Sequence, residues 1–551
     1  MGGRQMEYAD KIIKGKIYTA NEQQKYAEAF AIKDGRILAI GSKEEIKQYL
    51  GADTDVKEYT NGIILPGFSE GHAHVSSTIE LVVGPLVEAK SIEEAVAVIA
   101  KFAKEHPGTD AIYGGGFDPG LFGTEGPKAS LIDAVVPDRP VIISDEGHHS
   151  VWVNTKALEI SGITKDTKDP ENGHVVKDKM TGEPTGFLQE LAISLVNPAM
   201  PVLTLEQYEE AILYYQNVGL SYGITNAFEP MLSYTRDEPM RFDAYESLEK
   251  KGKLKIAFRV APTLNPGEDE DAFFQNMRAL HERFAGHDKV QVNTVKFFMD
   301  GVIDGHTALL REPYREGSLD CGPKMFEQEE LNKHVIRALK EGYNIHAHAI
   351  GDAAVDEALN AIEAAKEVVA DSKSRNAITH LQVCTPDQAA RMAKLQVIAV
   401  VNPYWHYETE LYQPLELPYL GKERAQHMYY VKEFADHGVT VSQASDFPVT
   451  VPPDTMFSLH MMVNRFDPET SKEPYFPEQC ISVEEAIAIL TKGGAYENEL
   501  EDKKGSFIKG KDADFVYLDR DVLTMPKEQI YQTKVLETWI GGECVYQREE
   551  E

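Results

Sequence analysis

Between residues 205 and 491 the chain alternates stretches of helical period with short apolar runs, and this alternation restricts the available folds more than any other feature. Leu205–Val218, Asp271–Phe284, Glu329–Glu341, Ala353–Val369 and Val483–Thr491 space apolar residues three and four apart, as does Ile92–Glu105 earlier on. Each predicts a helix with one buried stripe. Ala111–Tyr113, Gly223–Ala227, Lys255–Val260, Val292–Phe298, Asn344–His348, Ala377–His380, Val397–Val401 and Val439–Ala444 are apolar runs of strand length. Strands apolar on both faces and separated by helices pair in parallel beneath covering helices. About eight such units predict an α/β chain with a closed (β/α)8 TIM barrel. An open doubly wound sheet is the alternative, weakened because no Gly-x-Gly-x-x-Gly follows any of these runs.

The barrel is expected over residues 65–499. Tyr8 to Glu58 reads instead as short strands with tight turns, including an Asp34-Gly35 hairpin turn and one short helix capped by Ser42. The stretches from Gly505 and from Val535 have the same texture. Neither end carries enough apolar surface for a core of its own, so residues 1–64 and 500–551 are expected to form one composite β domain. Residues 117–200, rich in Gly, Pro and Asp, break the alternation and read as a long insertion over one mouth of the barrel.

The formal charge of −33 is spread along the chain, which argues against nucleic acid or an anionic membrane as partner. Cys321, Cys384, Cys480 and Cys544 are far apart and form no Cys-x-x-Cys pair, as expected in a reducing compartment. The first residues are too polar for a secretory signal, so a cytoplasmic location is the expectation. A second copy of the chain is a candidate partner.

Leu65-Pro66-Gly67-Phe68 leads into His72-Ala73-His74. In an extended strand two such histidines share a face and reach one metal ion together. Further chemically capable residues end later strands: Lys296, His348, His380 and Asp446. In a barrel the strand ends converge, so these become neighbours. A lysine inside an apolar strand is costly unless paired or changed; next to cations it favours the neutral amine, which can take up carbon dioxide and bridge two metals. A pairing of Lys296 with Asp300 or Asp304 is the plainer reading of that residue alone. His346 lies one layer deeper than His348 and reads as a hydrogen-bonded core histidine.

These residues, with Asp145-Glu-Gly-His-His-Ser-Val-Trp-Val-Asn-Thr-Lys-Ala-Leu, Gly182-Glu-Pro-Thr-Gly-Phe-Leu-Gln-Glu, His348-Ala-Ile-Gly-Asp, Ser445-Asp-Phe-Pro and Gly510-Lys-Asp-Ala-Asp-Phe, resemble the amidohydrolase superfamily. Within it the likeness is to the amidohydrolase-3 group, which includes N-substituted formamide deformylase. The resemblance implies His72 and His74 on one divalent ion, carboxylated Lys296 as a bridge, and His348 and His380 on a second ion. It implies Asp446 as the proton-transferring carboxylate that also touches the first ion. Zinc is the expected metal. The chain departs from the pattern at Glu70-Gly71, where Asp-Ser or similar is usual, and at His306, where a small residue is usual.

The expected activity is therefore a hydrolase acting on a non-peptide C–N bond of amide or formamide type through a metal-bound hydroxide. Asp446 would move the proton, and His149 would donate to the developing oxyanion or wall the pocket. Phe117, Trp152, Phe187, Phe298, Tyr404 and Trp405 are the candidate substrate contacts, and a small-molecule amide is the expected substrate. A hydrolytic deaminase, or a cyclic amide or lactone hydrolase, is a rival within the superfamily. The deaminases usually carry His-x-x-Glu after the fifth strand, whereas here Gly351 stands third after His348. A metal-free, non-catalytic binding protein is the rival from another class.

Overall fold

The structure is a computed structural model and describes residues 7–147, 149–170, 173–232, 238–315, 319–408, 412–471 and 473–549. His148, part of the motif that begins at Asp145, lies outside them. The chain divides into two compact units: Met1–Ala73 with Gln216–Met231 and Gly252–Glu551, and His74–Tyr215 with Leu232–Lys251.

Two arcs of parallel strands dominate the first unit. Strands β1 (Phe68–Glu70), β2 (Ile224–Glu229) and β3 (Ala257–Val260) form one arc, which ends on the two-residue strand Val290–Gln291. The other arc contains β4 (Thr294–Phe298), β5 (Asn344–Ala349), β6 (Ala377–His380), β7 (Ile398–Val401) and β8 (Val441–Gln443), paired in that order. All these pairs are parallel. Most of their residues are buried, as a sheet covered on both faces requires. Backbone hydrogen bonds also run between the arcs. Lys296 N donates to Pro262 O at 2.9 Å, Leu264 N to Lys296 O at 3.0 Å, and Gly71 N to Gln443 O at 2.9 Å.

Helices follow the strands where the apolar period places them. Gln328–Lys340 and Asp352–Val368 lie within one residue of the expected spans. Val483–Ala488 is an α-helix that continues as a π-helical turn, Ile489–Gly493. One strand expectation needs correcting. The run at Ala111–Tyr113 belongs to neither arc, and the short strand β1 joins β2 instead.

The chain ends meet in an eight-stranded sheet. Its order is Glu543–Gln547, Val535–Ile540, Phe515–Leu518, Ile63–Pro66, Lys11–Tyr18, Tyr26–Lys33 and Arg36–Gly41, with Asp55–Glu58 also on Lys11–Tyr18. Phe30, Ile64, Phe507, Phe515 and Trp539 pool their apolar surface in one core, so residues from both termini bury each other. Asp34 and Gly35, at φ 48° and 74°, make the two-residue turn that joins Tyr26–Lys33 to Arg36–Gly41. Ser42 caps the next helix in a capping box with Glu45.

The second unit is built on a five-stranded sheet ordered Gly173–Lys177, Pro184–Glu190, Ser150–Val153, Val141–Asp145 and Ile112–Phe117. Ile142 packs into one apolar cluster and its neighbour Ile143 into another, so alternate side chains bury both faces. Residues 117–200 thus carry four strands of a packed sheet, where sequence suggested a loop-rich insertion. Among the described residues no helix is long and apolar enough to cross a membrane.

Candidate metal centre

β4 and β5 set the floor of the site. Their parallel register places Lys296 opposite His346 and Phe298 opposite His348, so these four side chains share one face of the arc. Lys296 is fully buried, and its ammonium position has no hydrogen-bond partner among the described residues. It sits 4.6 Å above the centre of the Phe298 ring. Burial pushes the Lys296 amine down to about 7, against an opposing pull from the Asp446 carboxylate. The alternative pairing with Asp300 or Asp304 is not made. The Asp300 carboxylate instead accepts from the backbone N–H groups of Ile350, Gly351 and Leu309 at 2.8 to 2.9 Å.

His72 follows β1, which stops at Glu70 two residues short of it. The expected strand therefore ends early. The segment is nevertheless held extended between neighbours, with Gly71 N on Gln443 O and Ala73 N on the Phe228 carbonyl at 2.9 Å. Gly71 is required here: a Cβ would run into the Glu497 carboxylate and come within 2.7 Å of Ser442 Oγ. Glu70 is buried beneath, its Oε1 accepting from the N–H groups of His72 and Ser445 at 3.1 and 2.9 Å. Burial pushes its carboxyl up to about 8.

His380 and Asp446 reach the site through unusual backbone. In a regular pleat Thr379 shares the face of His348, which turns His380 the other way. His380 instead adopts φ 76° and Asp446 φ 60°, the left-handed region that costs a branched or bulky residue about 1–3 kcal/mol. As a result His72, His380 and Asp446, all buried, each offer a ligand atom within 4.8 Å of the others. Asp446 Oδ1 is 3.2 Å from His72 Nε2. The ring of His348 lies 4.6 Å from that of His380, nearly edge on.

Hydrogen bonds orient the imidazoles. His380 Nδ1 is 3.0 Å from Asn402 Oδ1, which can only accept, so Nδ1 carries the proton and Nε2 is the acceptor. His348 Nε2 donates to the Gly301 carbonyl at 3.2 Å, with Asp300 Oδ1 at 3.6 Å, which leaves Nδ1 as its acceptor. Burial and the nearby Lys296 hold His72 well below the usual imidazole range. A set of buried imidazoles, a carboxylate and a buried amine with no hydrogen-bond partner suits a divalent cation.

His74 is half-buried and precedes the 3-10 turn Val75–Thr78, at the start of the second unit. His149, also in that unit, places Nδ1 3.1 Å from the Glu190 carboxylate, and Glu190 N donates to the His149 carbonyl at 2.8 Å. Glu190 has φ 51° and ψ −131°, a conformation rare for a residue with a side chain. Phe117 and Trp152 are fully buried and pack edge to face at 6.0 Å in a cluster that includes Phe187. Tyr404 packs on Phe457 and accepts from Asp454 N. Trp405 stacks on the His380 ring at 5.5 Å, and Phe298 lies 5.0 Å from that of His348. His306 is sandwiched against Tyr314 and Tyr419. Sequence reasoning passed over Glu190, Asn402 and Glu497, none of which stands in a recognisable ligand spacing.

Comparison with known proteins identifies the family. The chain is 29% identical over 541 residues to YtcJ of Bacillus subtilis (strain 168), named as an amidohydrolase, covering 97% of this chain and 98% of that one. It is 24% identical over 572 residues to N-substituted formamide deformylase of Arthrobacter pascens, covering 98% of each. The crystal structure of an uncharacterised metal-dependent hydrolase from Pyrococcus furiosus superposes with a TM-score of 0.72 at 25% identity, covering 93% of this chain and all of the other. Residues 60–546 match the amidohydrolase family, and the chain belongs to it.

Proposed function

We propose that this protein is a metal-dependent hydrolase that cleaves a non-peptide C–N bond of amide or formamide type. The observation that carries this reading is the convergence of His72, His380 and Asp446 beside the buried Lys296. His72, His74 and Asp446 would hold one divalent ion and His348 and His380 a second, with Lys296 as a carboxylated bridge. Zinc is the metal that best suits this imidazole and carboxylate set. When bound, such ions lower the pKa of water toward about 7 and polarise a carbonyl oxygen.

The side chains then have distinct tasks. Asp446 takes the proton of the attacking water and returns it to the leaving nitrogen, which must depart as a neutral amine. Asn402 and Gly301 hold the rings of His380 and His348 with their acceptor nitrogens fixed. Trp405, flat against His380, and Phe298 supply apolar walls that suit an aromatic or aliphatic acyl or amine group. His149, its Nδ1 held by Glu190, would be the donor for the carbonyl oxygen as it gains charge.

We read the two parallel arcs as one closed (β/α)8 barrel over residues 65–499. The backbone bonds from Lys296 to Pro262 and from Gly71 to Gln443 support this. Residues 1–64 and 500–551 form the composite β domain. The small-molecule substrate is an N-substituted amide, by analogy with the deformylase relative.

The test is metal analysis followed by a substrate panel. Protein purified with zinc supplementation should carry about two ions per chain, and should release amine from at least one of a set of N-substituted formamides, amides, cyclic ureas and lactones. A protein that binds no divalent ion, and whose behaviour a chelator leaves unchanged, overturns the reading.

A further inference from the structure

Beneath the proposed ligands lies a second line of buried polar groups. His346, one layer below His348 on β5, places Nε2 2.9 Å from His72 Nδ1. Its other nitrogen, Nδ1, is 3.6 Å from Glu497 Oε1. Both His346 and Glu497 are about 1% exposed. Glu497 is the last residue of the helical turn Gly494–Glu497, which has no other evident role in the site. Its backbone carbonyl accepts from the Arg259 guanidinium, and its carboxylate occupies the space that the missing Gly71 side chain leaves. The next residue, Asn498, bonds Asn226 Oδ1 at 2.8 Å and the Glu70 carbonyl at 3.3 Å. The carboxylate is thereby clamped under the segment that carries His72.

We propose that Glu497 and His346 are positioning residues that fix the tautomer and tilt of His72. This rests on the reading of His72 as a metal ligand. With His72 on the ion through Nε2, the nitrogen that faces Asp446, its Nδ1 keeps the proton and donates to His346 Nε2. His346 then carries its own proton on Nδ1, on the side of the Glu497 carboxyl, whose Oε1 at 3.6 Å is a polar contact beyond hydrogen-bond length. The pair holds the His72 ring in the orientation that turns Nε2 to the ion position. Phe228 packs on the His346 ring at a tilt of 59°, ring centres 4.6 Å apart. Because Gly71 gives Glu497 its room, the departure from the family pattern at this position and the helical turn at residues 494–497 form one device.

The experiment measures zinc affinity of the metal-free full-length chain by competition with a chromophoric chelator, together with the visible spectrum of the cobalt-loaded protein. His346→Leu removes the acceptor and should weaken zinc binding by about 10–100-fold and alter the cobalt bands. His346→Gln, whose amide oxygen falls near the position of Nε2, should recover most of the affinity and the wild-type spectrum. Glu497→Leu should weaken binding in the same sense, and His346→Leu/Glu497→Leu should be no weaker than His346→Leu alone, because the two act in series. Wild-type affinity in His346→Leu, equal losses in the Leu and Gln variants, or full additivity of the pair would each overturn the relay. His72→Ala is the control. If it too binds zinc as tightly as wild type, the metal-ligand reading of His72 fails, and the relay with it.

Discussion

Asp446 and His72 are joined twice: the Asp446 N–H donates to the His72 carbonyl at 2.9 Å, and Asp446 Oδ1 lies 3.2 Å from His72 Nε2. The backbone bond locks together two segments that are far apart in sequence, and the side-chain contact follows from it. A carboxylate fixed in this way can exchange a proton with a water beside the ion position without reorganising, which is the condition for efficient general acid–base catalysis.

Asp446→Asn keeps an oxygen donor and the backbone bond but cannot carry a proton. The variant should retain most of its metal and lose turnover by about 10²–10⁴-fold, as checked by metal analysis and steady-state rates on the same preparation.

Lys296→Ala should lose metal and activity together, since the proposed carboxylated bridge would go with the side chain. Parallel metal analysis and activity assays check this, and full activity in the variant would remove the lysine from the site.

The pH dependence of the metal-free protein reports on the same lysine. Its folded pKa, about 7, lies below the value near 10.4 of an unfolded lysine, so the folded state disfavours the charged form. Stability should therefore rise as pH climbs from about 7 toward 10, and this contribution should level off below about 7, where both states carry the proton. Thermal melts of wild type against Lys296→Met should show this slope in the wild type alone.

His149→Ala should lower kcat by about 10²–10³-fold while leaving metal content unchanged. Glu190→Gln should show a smaller loss in the same direction, measured by rates and metal analysis.

Gly71→Ala should destabilise the fold by about 1–3 kcal/mol, because its Cβ meets the Glu497 carboxylate, Ser442 Oγ and the Gln443 carbonyl. Urea denaturation of the metal-free chain measures the loss.

Sequence pattern predicted the strands and helices of the parallel arcs closely, because continuous apolar runs and a three-to-four spacing record burial directly. Ala377–His380 coincides with β6 residue for residue. What periodicity cannot express is the backbone turn at a strand end. Strict alternation turns His380 away from the face of His348, and only φ 76° brings it back. His346 was legible as a hydrogen-bonded core residue, but its partner was not. Nothing in the sequence near Glu497 marks it as a neighbour of a residue 151 positions earlier. The strands within residues 117–200 were not legible for a different reason: they are short and interrupted by turn-forming residues, and antiparallel pairs of that kind leave a weaker signature than buried parallel strands.

The eight-stranded sheet imposes an order on synthesis. Ile63–Pro66 lies between Lys11–Tyr18 and Phe515–Leu518, so one of its edges stays unpaired until the far end of the chain has been translated. At about 5–20 residues per second the ribosome needs roughly 20–90 s to reach that partner. During that interval an apolar β edge is open to other nascent chains. Crowded expression should therefore penalise this protein before it is ever complete.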